Sequence, residues 1–389
     1  MRDRMWERGL GALVVVGPED VYYLTGLDYQ GYFAFTALLV TLDGPPVLVT
    51  RAMEAPTVRD QAPGCAHVPY GDGDDPAAAL LGAIRERVAG GTRAGLEQAS
   101  MFFPPAVAAR LRRARTGPRW RDASGLVAGV RAVKSPEEVG HTRAAAALSD
   151  HALAAGIAAV RRGAPQTAVA AEVYAAMISG GGEPPGFAPL IRPLALLPQE
   201  HVTWWHPPGP PPAAAPPATA APSDPAPPAD RGLFFELSAS VRHYHAPLSR
   251  TVYLGRPPDG AVRAHAAAAA GLAAIENALR PGVPMSAVYD AWRAAVDAVC
   301  PQGGATPRHH CGYLVGIGFP PSWTGGTVRG MRPGDDTPVE AGMTFHALSW
   351  VQRPAGHVMS DTLLATPEGG VSLTATPRDL IVVAPASTS

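Results

Sequence analysis

The sequence predicts an α/β (α+β) chain of two domains: a smaller N-terminal α/β domain, then a larger domain built on one curved sheet covered by helices. Three observations predict it. The 389 residues give ample length for two hydrophobic cores. In the first third, short apolar runs of buried-strand type alternate with helical segments. Beyond residue 135, two helices lead into strands that alternate with two further long helices, the pattern of a sheet packed against a helical layer.

In chain order, Gly11–Val16 is the first strand, and Gly17 to Gly26 is a helical turn punctuated by Pro18 and Gly26. Strands follow at Thr36–Thr41 and Pro46–Thr50, and helices at Pro76–Ala89 and Pro104–Arg115. Ser135-Pro136-Glu137-Glu138 starts a helix: a Ser cap, Pro in the first turn and two acidic groups at the positive end of the dipole. This Ala-rich helix should run to about Arg162 and stop at Gly163, with a second at Gln166–Ser179. The domain boundary is set just before the first of them, giving domains 1–130 and 131–389. Pro207–Asp230 is a low-complexity Pro/Ala insertion that cannot bury enough apolar surface to offset its ordering entropy, and is expected to be mobile. Strands at Leu233–Val241 and Ser249–Leu254 precede helices Asp259–Leu279 and Met285–Val299. A Gly-rich segment, Cys311–Pro321, then leads to strands at Thr344–Val351 and Thr362–Ala365.

Composition excludes several classes of function. The formal net charge is −1 and no run of like charge stands out, so nothing favours nucleic acid or an anionic membrane. No apolar stretch approaches a membrane span, and the N-terminal segment is charged; a soluble, cytoplasmic protein is expected. Cys65, Cys300 and Cys311 lack any paired spacing. Cys311 is read as a buried, inert thiol, with a reactive one as the alternative.

The most informative segment is Phe234 to Gly255, FFELSASVRHYHAPLSRTVYLG. It resembles the strand pair that opens the metal site of the creatinase/aminopeptidase P (pita-bread) family. Other segments share the likeness. Asp20-Val21-Tyr22-Tyr23-Leu24-Thr25-Gly26 is similar to that family's N-terminal signature, and Arg131–Pro136 with Glu138 to the Lys-Ser-Pro-x-Glu entry of its catalytic domain. Gly180-Gly181-Gly182-Glu183 resembles the segment before its substrate-facing loop. Cys311–Trp323 and Gly342-Met343-Thr344-Phe345-His346 resemble the ectoine hydrolase branch. The resemblance implies a curved antiparallel pita-bread sheet behind a creatinase-like N-terminal domain, and a homodimer.

It also implies where metal ligands would stand. The five positions read Glu236, Pro247, Tyr313, Leu348 and Ser360, the last beside Asp361. Two adjacent divalent ions need several carboxylate oxygens and an imidazole, and one carboxylate cannot hold them. No metal or other cofactor is therefore expected. In creatinase the same fold works without metal on a C–N bond of a small cationic or zwitterionic substrate, and a similar small-molecule substrate is expected here. The branch's Pro-Pro-Asp-Trp-Gly-Glu reads Pro320-Pro321-Ser322-Trp323-Thr324-Gly325, losing both carboxylates, which argues against ectoine itself.

Catalysis without a metal needs a base or nucleophile, a proton donor for the leaving nitrogen, and donors for the developing charge. By the resemblance, His201 is the acid/base group; its alternative is a packed ring beside Trp204 and Trp205. Glu236, in a very apolar strand, is a substrate anchor, base or nucleophile, or else an ion-pair partner of Arg250 in the same hairpin. Tyr313 could donate its phenol to substrate or be a packed aromatic. His245, Arg250 and His346 are candidates for binding substrate. Arg51, after the strand VLVT, resembles the arginine that the family's N-terminal domain presents to a substrate carboxylate across the dimer interface. His243 and His245 share a face if the strand is continuous, and with His309, His310 and His346 could form a rebuilt metal site. Hydrolysis of a C–N bond in a cyclic amidine, guanidine or lactam is the expected activity. The rivals are a non-hydrolytic step in a specialised biosynthetic pathway and an inactive peptide- or protein-binding module.

Overall fold

The computed structural model describes residues 1–114, 117–186, 189–193, 232–301, 309–324, 329–351 and 353–384. The chain separates into two compact units, Met1–Ala132 and Val133–Ser389.

In the first unit the helices are α1 (Arg2–Glu7), α2 (Pro18–Thr25), α3 (Ala55–Gln61), α4 (Pro76–Arg87), α5 (Pro105–Arg113) and α6 (Leu126–Ala132). The strands are β1 (Ala12–Val15), β2 (Ala37–Thr41), β3 (Val47–Arg51), β4 (Ala66–Tyr70), β5 (Arg93–Leu96) and β6 (Arg119–Asp122). They form a mixed sheet in the order β4-β3-β2-β1-β5-β6, with β1 antiparallel to β2 and parallel to β5. Strand alternation sends Val14 and Leu39 into one core with Leu80 and Leu111, and Leu13, Val15 and Leu38 into another with Val21 and Val127. Both faces are covered, so the strands read as unbroken apolar runs.

The second unit opens with α7 (Pro136–Arg161) and α8 (Gln166–Ser179). Ser135 caps α7 in a full capping box: its hydroxyl accepts from the Glu138 N–H while the Glu138 carboxylate accepts from the Ser135 N–H. Beyond Arg161 the chain leaves the helix through Gly163, at φ 75°. The remaining elements are β7 (Leu190–Pro193), β8 (Gly232–Val241), β9 (Tyr244–Leu254), α9 (Ala261–Ala278), α10 (Met285–Val299), β10 (Gly312–Leu314), β11 (Thr344–Val351), β12 (His357–Thr366), β13 (Gly369–Ser372) and β14 (Ile381–Val383). The strands join in the order β10-β11-β12-β9-β8-β7, with β13 on β12 and β14 on β9. Every pairing is antiparallel except that of β14 with β9.

One face of this sheet packs on helices. Phe235, Leu237, Leu248 and Val252 share a core with Leu153, Val160, Val169 and Val173 of α7 and α8. On the same face, the indole N–H of Trp292 in α10 donates to Ser349 of β11 at 3.1 Å. Gly271 lets α9 approach this spot: a Cβ there would sit 2.7 Å from Val296 and 2.9 Å from Trp292.

β9 is longer than the sequence predicts, starting at Tyr244 and not at Ser249. Pro247 hid its first half, because proline removes a ladder donor and argues against a central strand. The sheet accommodates it because β9 registers with β12 only at Ser249↔Ser360. Next to that point the Thr362 hydroxyl donates to the Pro247 carbonyl at 2.8 Å. β12 is likewise longer than Thr362–Ala365. The insertion at 207–230 lies outside the described residues.

Candidate active site

Register decides which side chains share the open face. β8 and β9 are joined by the two residues Arg242 and His243, both left-handed at φ 51° and 61°, the tight hairpin turn that matches strand twist. Glycine usually supplies such φ values; here a carboxylate holds them. Glu183 accepts from the N–H of Arg242 at 3.0 Å and of His243 at 2.6 Å. With this turn, Ser240 faces His245, Ser238 faces Pro247 and Glu236 faces Ser249. Residues paired directly across a sheet lie on the same face. On β11 and β12 the pairs Leu348↔Ser360 and His346↔Thr362 continue that face, and Tyr313 of β10 joins it opposite His346.

The five positions read from the sequence, Glu236, Pro247, Tyr313, Leu348 and Ser360, thus come together on one face. Three of them bear polar groups, and a continuous hydrogen-bonded chain runs through two of these. The Trp323 indole N–H donates to the Tyr313 hydroxyl at 2.9 Å. That hydroxyl lies 2.9 Å from His346 Nδ1, and His346 Nε2 lies 2.7 Å from the Ser360 hydroxyl. Ser360 in turn shares a short hydrogen bond with Ser249, the residue opposite Glu236. His346, Ser360 and Ser249 are fully buried, whereas Tyr313 and Glu236 at the two ends are half-buried. The Tyr313 and His346 rings stand nearly perpendicular, 5.3 Å between centroids.

This donor set does not suit a pair of divalent ions. Leu348 and Pro247 bring no ligand atom, and both His346 ring nitrogens are engaged by hydroxyls. Within the second unit, no three His, Cys, Asp or Glu side chains converge among the described residues. The rebuilt histidine site is not formed by these groups. His243 lies in the turn, stacked on Phe319 at 4.0 Å, and does not share a strand face with His245.

Three sequence-based expectations are corrected. Arg250 points to the helix-covered face and does not reach the open one. Its Nε donates to the Pro377 carbonyl, Nη1 to those of Ser249 and Ser360, and Nη2 to Asp361 at 2.8 Å and the Thr376 carbonyl. Every donor is used, leaving none for a substrate. Its acidic partner is therefore Asp361 and not Glu236, which lies on the opposite face; Arg378 closes the network by bridging Asp361 and Glu276. His245 is also unavailable to substrate: Nδ1–H donates to the His243 carbonyl at 2.9 Å and Nε2 accepts from the Gly186 N–H at 2.9 Å. Burial pushes its pKa down to about 4. It fastens the hairpin to the 183–186 segment as a neutral ring.

Arg51 ends β3 in the first unit. It donates to Glu54 at 3.1 Å and covers the exposed Phe33 ring at 4.9 Å, while its buried Nε has no partner. Cys311 is fully buried, and burial raises its thiol pKa, which keeps it protonated and unreactive near neutral pH. His201, Trp204 and Trp205 lie outside the described residues. Sequence reasoning did not select Ser249, Ser360 or Trp323 as working groups. The one available signal was that Ser360 falls at a ligand position.

Comparison with known proteins agrees with this architecture. Residues 140–367 match the metallopeptidase family M24 and residues 1–133 the creatinase/prolidase N-terminal domain. The chain is 30% identical to ectoine hydrolase of Halomonas elongata, covering 98% of this chain and 95% of that protein. It is 29% identical to an uncharacterised hydrolase/peptidase of Sinorhizobium fredii, over 98% and 95% of the two chains. Among solved structures, a prolidase from Thermococcus sibiricus superposes with a TM-score of 0.80 at 16% identity, covering 98% and 97%. No helix among the described residues is long and apolar enough to cross a membrane.

Proposed function

The chain belongs to metallopeptidase family M24, a hydrolase and peptidase family, and we propose that it hydrolyses a C–N bond of a small polar, nitrogen-containing metabolite without the family's metal pair. One observation carries the reading. The ligand positions hold Glu236, Pro247, Tyr313, Leu348 and Ser360, and two of their polar groups are tied to His346 in a hydrogen-bonded chain. The likeness to an ectoine hydrolase over nearly the whole chain supports a small substrate such as a cyclic amidine, guanidine or lactam.

On this reading Glu236 binds the substrate's cationic nitrogen or serves as base or nucleophile, and His201 is the acid/base group. Tyr313 contributes its phenol. Leu348 and Pro247 line the same face with apolar surface that keeps bulk water from the reacting bond. Arg51 is assigned to a substrate carboxylate, with a homodimer as the assembly. His346 is tied into the wall by Tyr313 and Ser360.

Elemental analysis of the purified, untagged protein tests the central point. The expected content is well below one equivalent of zinc, manganese or iron, with turnover of a panel of cyclic amidines, guanidines and lactams unchanged by chelator. A stoichiometric metal would overturn the proposal and direct attention to Glu183 and His243, whose Oε2 and Nδ1 lie 3.9 Å apart.

A further inference from the structure

We infer that His265 and His357 form a binding site for one divalent transition-metal ion, zinc or copper(II), on the helix-covered side of the sheet and apart from the candidate active site. His265 lies in the first half of α9, and His357 opens β12. They stand 92 residues apart in the chain, yet His265 Nδ1 lies 3.2 Å from His357 Nε2, with the two rings nearly perpendicular. Imidazole nitrogen suits zinc, copper and nickel, and copper(II) heads the affinity order. Two nitrogens 3.2 Å apart, each about 2.0–2.1 Å from a common ion, subtend about 100° at it, close to the tetrahedral angle that zinc takes. The pair can therefore hold an ion beside the present contact with little rearrangement.

The surroundings prepare His357 as a ligand. The Tyr253 hydroxyl donates to the Gly356 carbonyl at 3.2 Å, and a carbonyl can only accept. The Tyr253 oxygen is then the acceptor for His357 Nδ1–H at 3.0 Å, which leaves a lone pair on Nε2 facing His265. Holding the far ring nitrogen in this way fixes the tautomer and the aim of a ligating histidine. Burial lowers the pKa of both rings, so both are neutral near pH 7 and no proton competes for the ion. In the empty pair His265 Nδ1–H donates to His357 Nε2. Binding forms two nitrogen–metal bonds, and the His265 proton passes through water to that ring's own Nε2, so no net proton is released. The Arg250 charge felt by both rings is offset by its ion pair with Asp361, and Asp379 adds a negative charge felt at His265. His357 is buried and His265 is half-buried, so the ion enters from the His265 side and water completes its coordination.

An ion held here clips α9 to β12. With two protein ligands it exchanges readily, so it loads when zinc is supplied and is lost on purification, in keeping with a metal content well below one equivalent.

Zinc titration of the full chain by calorimetry, wild type against His265→Gln, tests the site. The wild type should bind one zinc ion that the variant binds at least tenfold more weakly; equal binding overturns the site. Tyr253→Phe keeps both ligands and removes the hydroxyl that aims His357, and should weaken zinc about tenfold; unchanged affinity overturns the assigned tautomer. Nitrogen NMR of histidine-labelled protein, with His265→Gln identifying that ring, should show zinc shifting His265 Nδ1 and His357 Nε2. Shifts confined to other histidines overturn the site. Zinc lost with His265 supports it and leaves the metal-free reading of the open face intact, whereas zinc retained in His265→Gln lies elsewhere and overturns it.

Discussion

Acid sensitivity traced to one ring offers a quantitative check on the site's framework. His245 is fully buried and burial lowers its pKa from 6.5 to about 4. The folded chain therefore holds it neutral, and its contribution is complete above pH 6.5, where the unfolded ring is neutral too. As pH falls from 6.5 toward 4, the unfolded state gains a proton that the folded state refuses, and stability is lost. At pH 5 the unfolded ring is favoured by a factor of roughly thirty, or about 2 kcal/mol. His245→Gln removes the titrating group. It also weakens the bonds to His243 and Gly186, at a cost of about 1–2 kcal/mol at pH 7.5. Urea unfolding of both proteins at pH 7.5 and pH 5 makes the comparison. Burial lowers His357 to about 3, and that loss is common to both proteins, so it cancels. The wild type should lose about 2 kcal/mol more than the variant between the two pH values. Equal losses would refute the idea that His245 is locked neutral by its two backbone partners.

Other consequences are direct. Arg250→Leu takes from the buried Asp361 carboxylate one of its two guanidinium partners, leaving Arg378, and abandons the carbonyls of Ser249, Ser360, Thr376 and Pro377; it should destabilise by about 3–5 kcal/mol in urea unfolding, and a loss under 1 kcal/mol would contradict its buried pairing. Glu183→Gln should cost about 1–2 kcal/mol by weakening the bonds that hold the left-handed Arg242–His243 turn, and amide exchange at those two residues should accelerate; unchanged exchange would rule out the carboxylate as its clamp. His201→Ala should abolish turnover with the melting temperature nearly unchanged, and normal turnover would remove His201 from the mechanism.

The fold was legible in the sequence because its cues are local. Ser135 and Glu138 mark the start of α7 by cap chemistry, Gly163 marks its end, and unbroken apolar runs mark the buried strands of the first unit. Where a local rule misled, tertiary structure supplied the exception. Pro247 argues against a strand, yet β9 carries it where the ladder to β12 is interrupted. Arg250 and Glu236 belong to one hairpin and invite pairing, but they differ in parity across a two-residue turn, and Arg250 finds Asp361 from β12. That turn was unreadable in advance. Its left-handed residues are Arg and His, and the group that sustains them, Glu183, lies nearly sixty residues earlier in the chain.

The site was legible as a set of losses and hidden as a set of gains. Alignment by motif names five positions, and four of them lack a carboxylate. It does not say that the hydroxyls of Tyr313 and Ser360 are bridged by His346, because those three residues come from three strands. Physical chemistry explains why the replacements go together. A carboxylate left in this wall without its ion would be a buried, unpaired charge, costing several kcal/mol. Leu348 and Pro247 avoid that cost by being apolar, and Tyr313 and Ser360 by forming neutral hydrogen bonds. The single carboxylate that stays, Glu236, is at the half-buried end of the row.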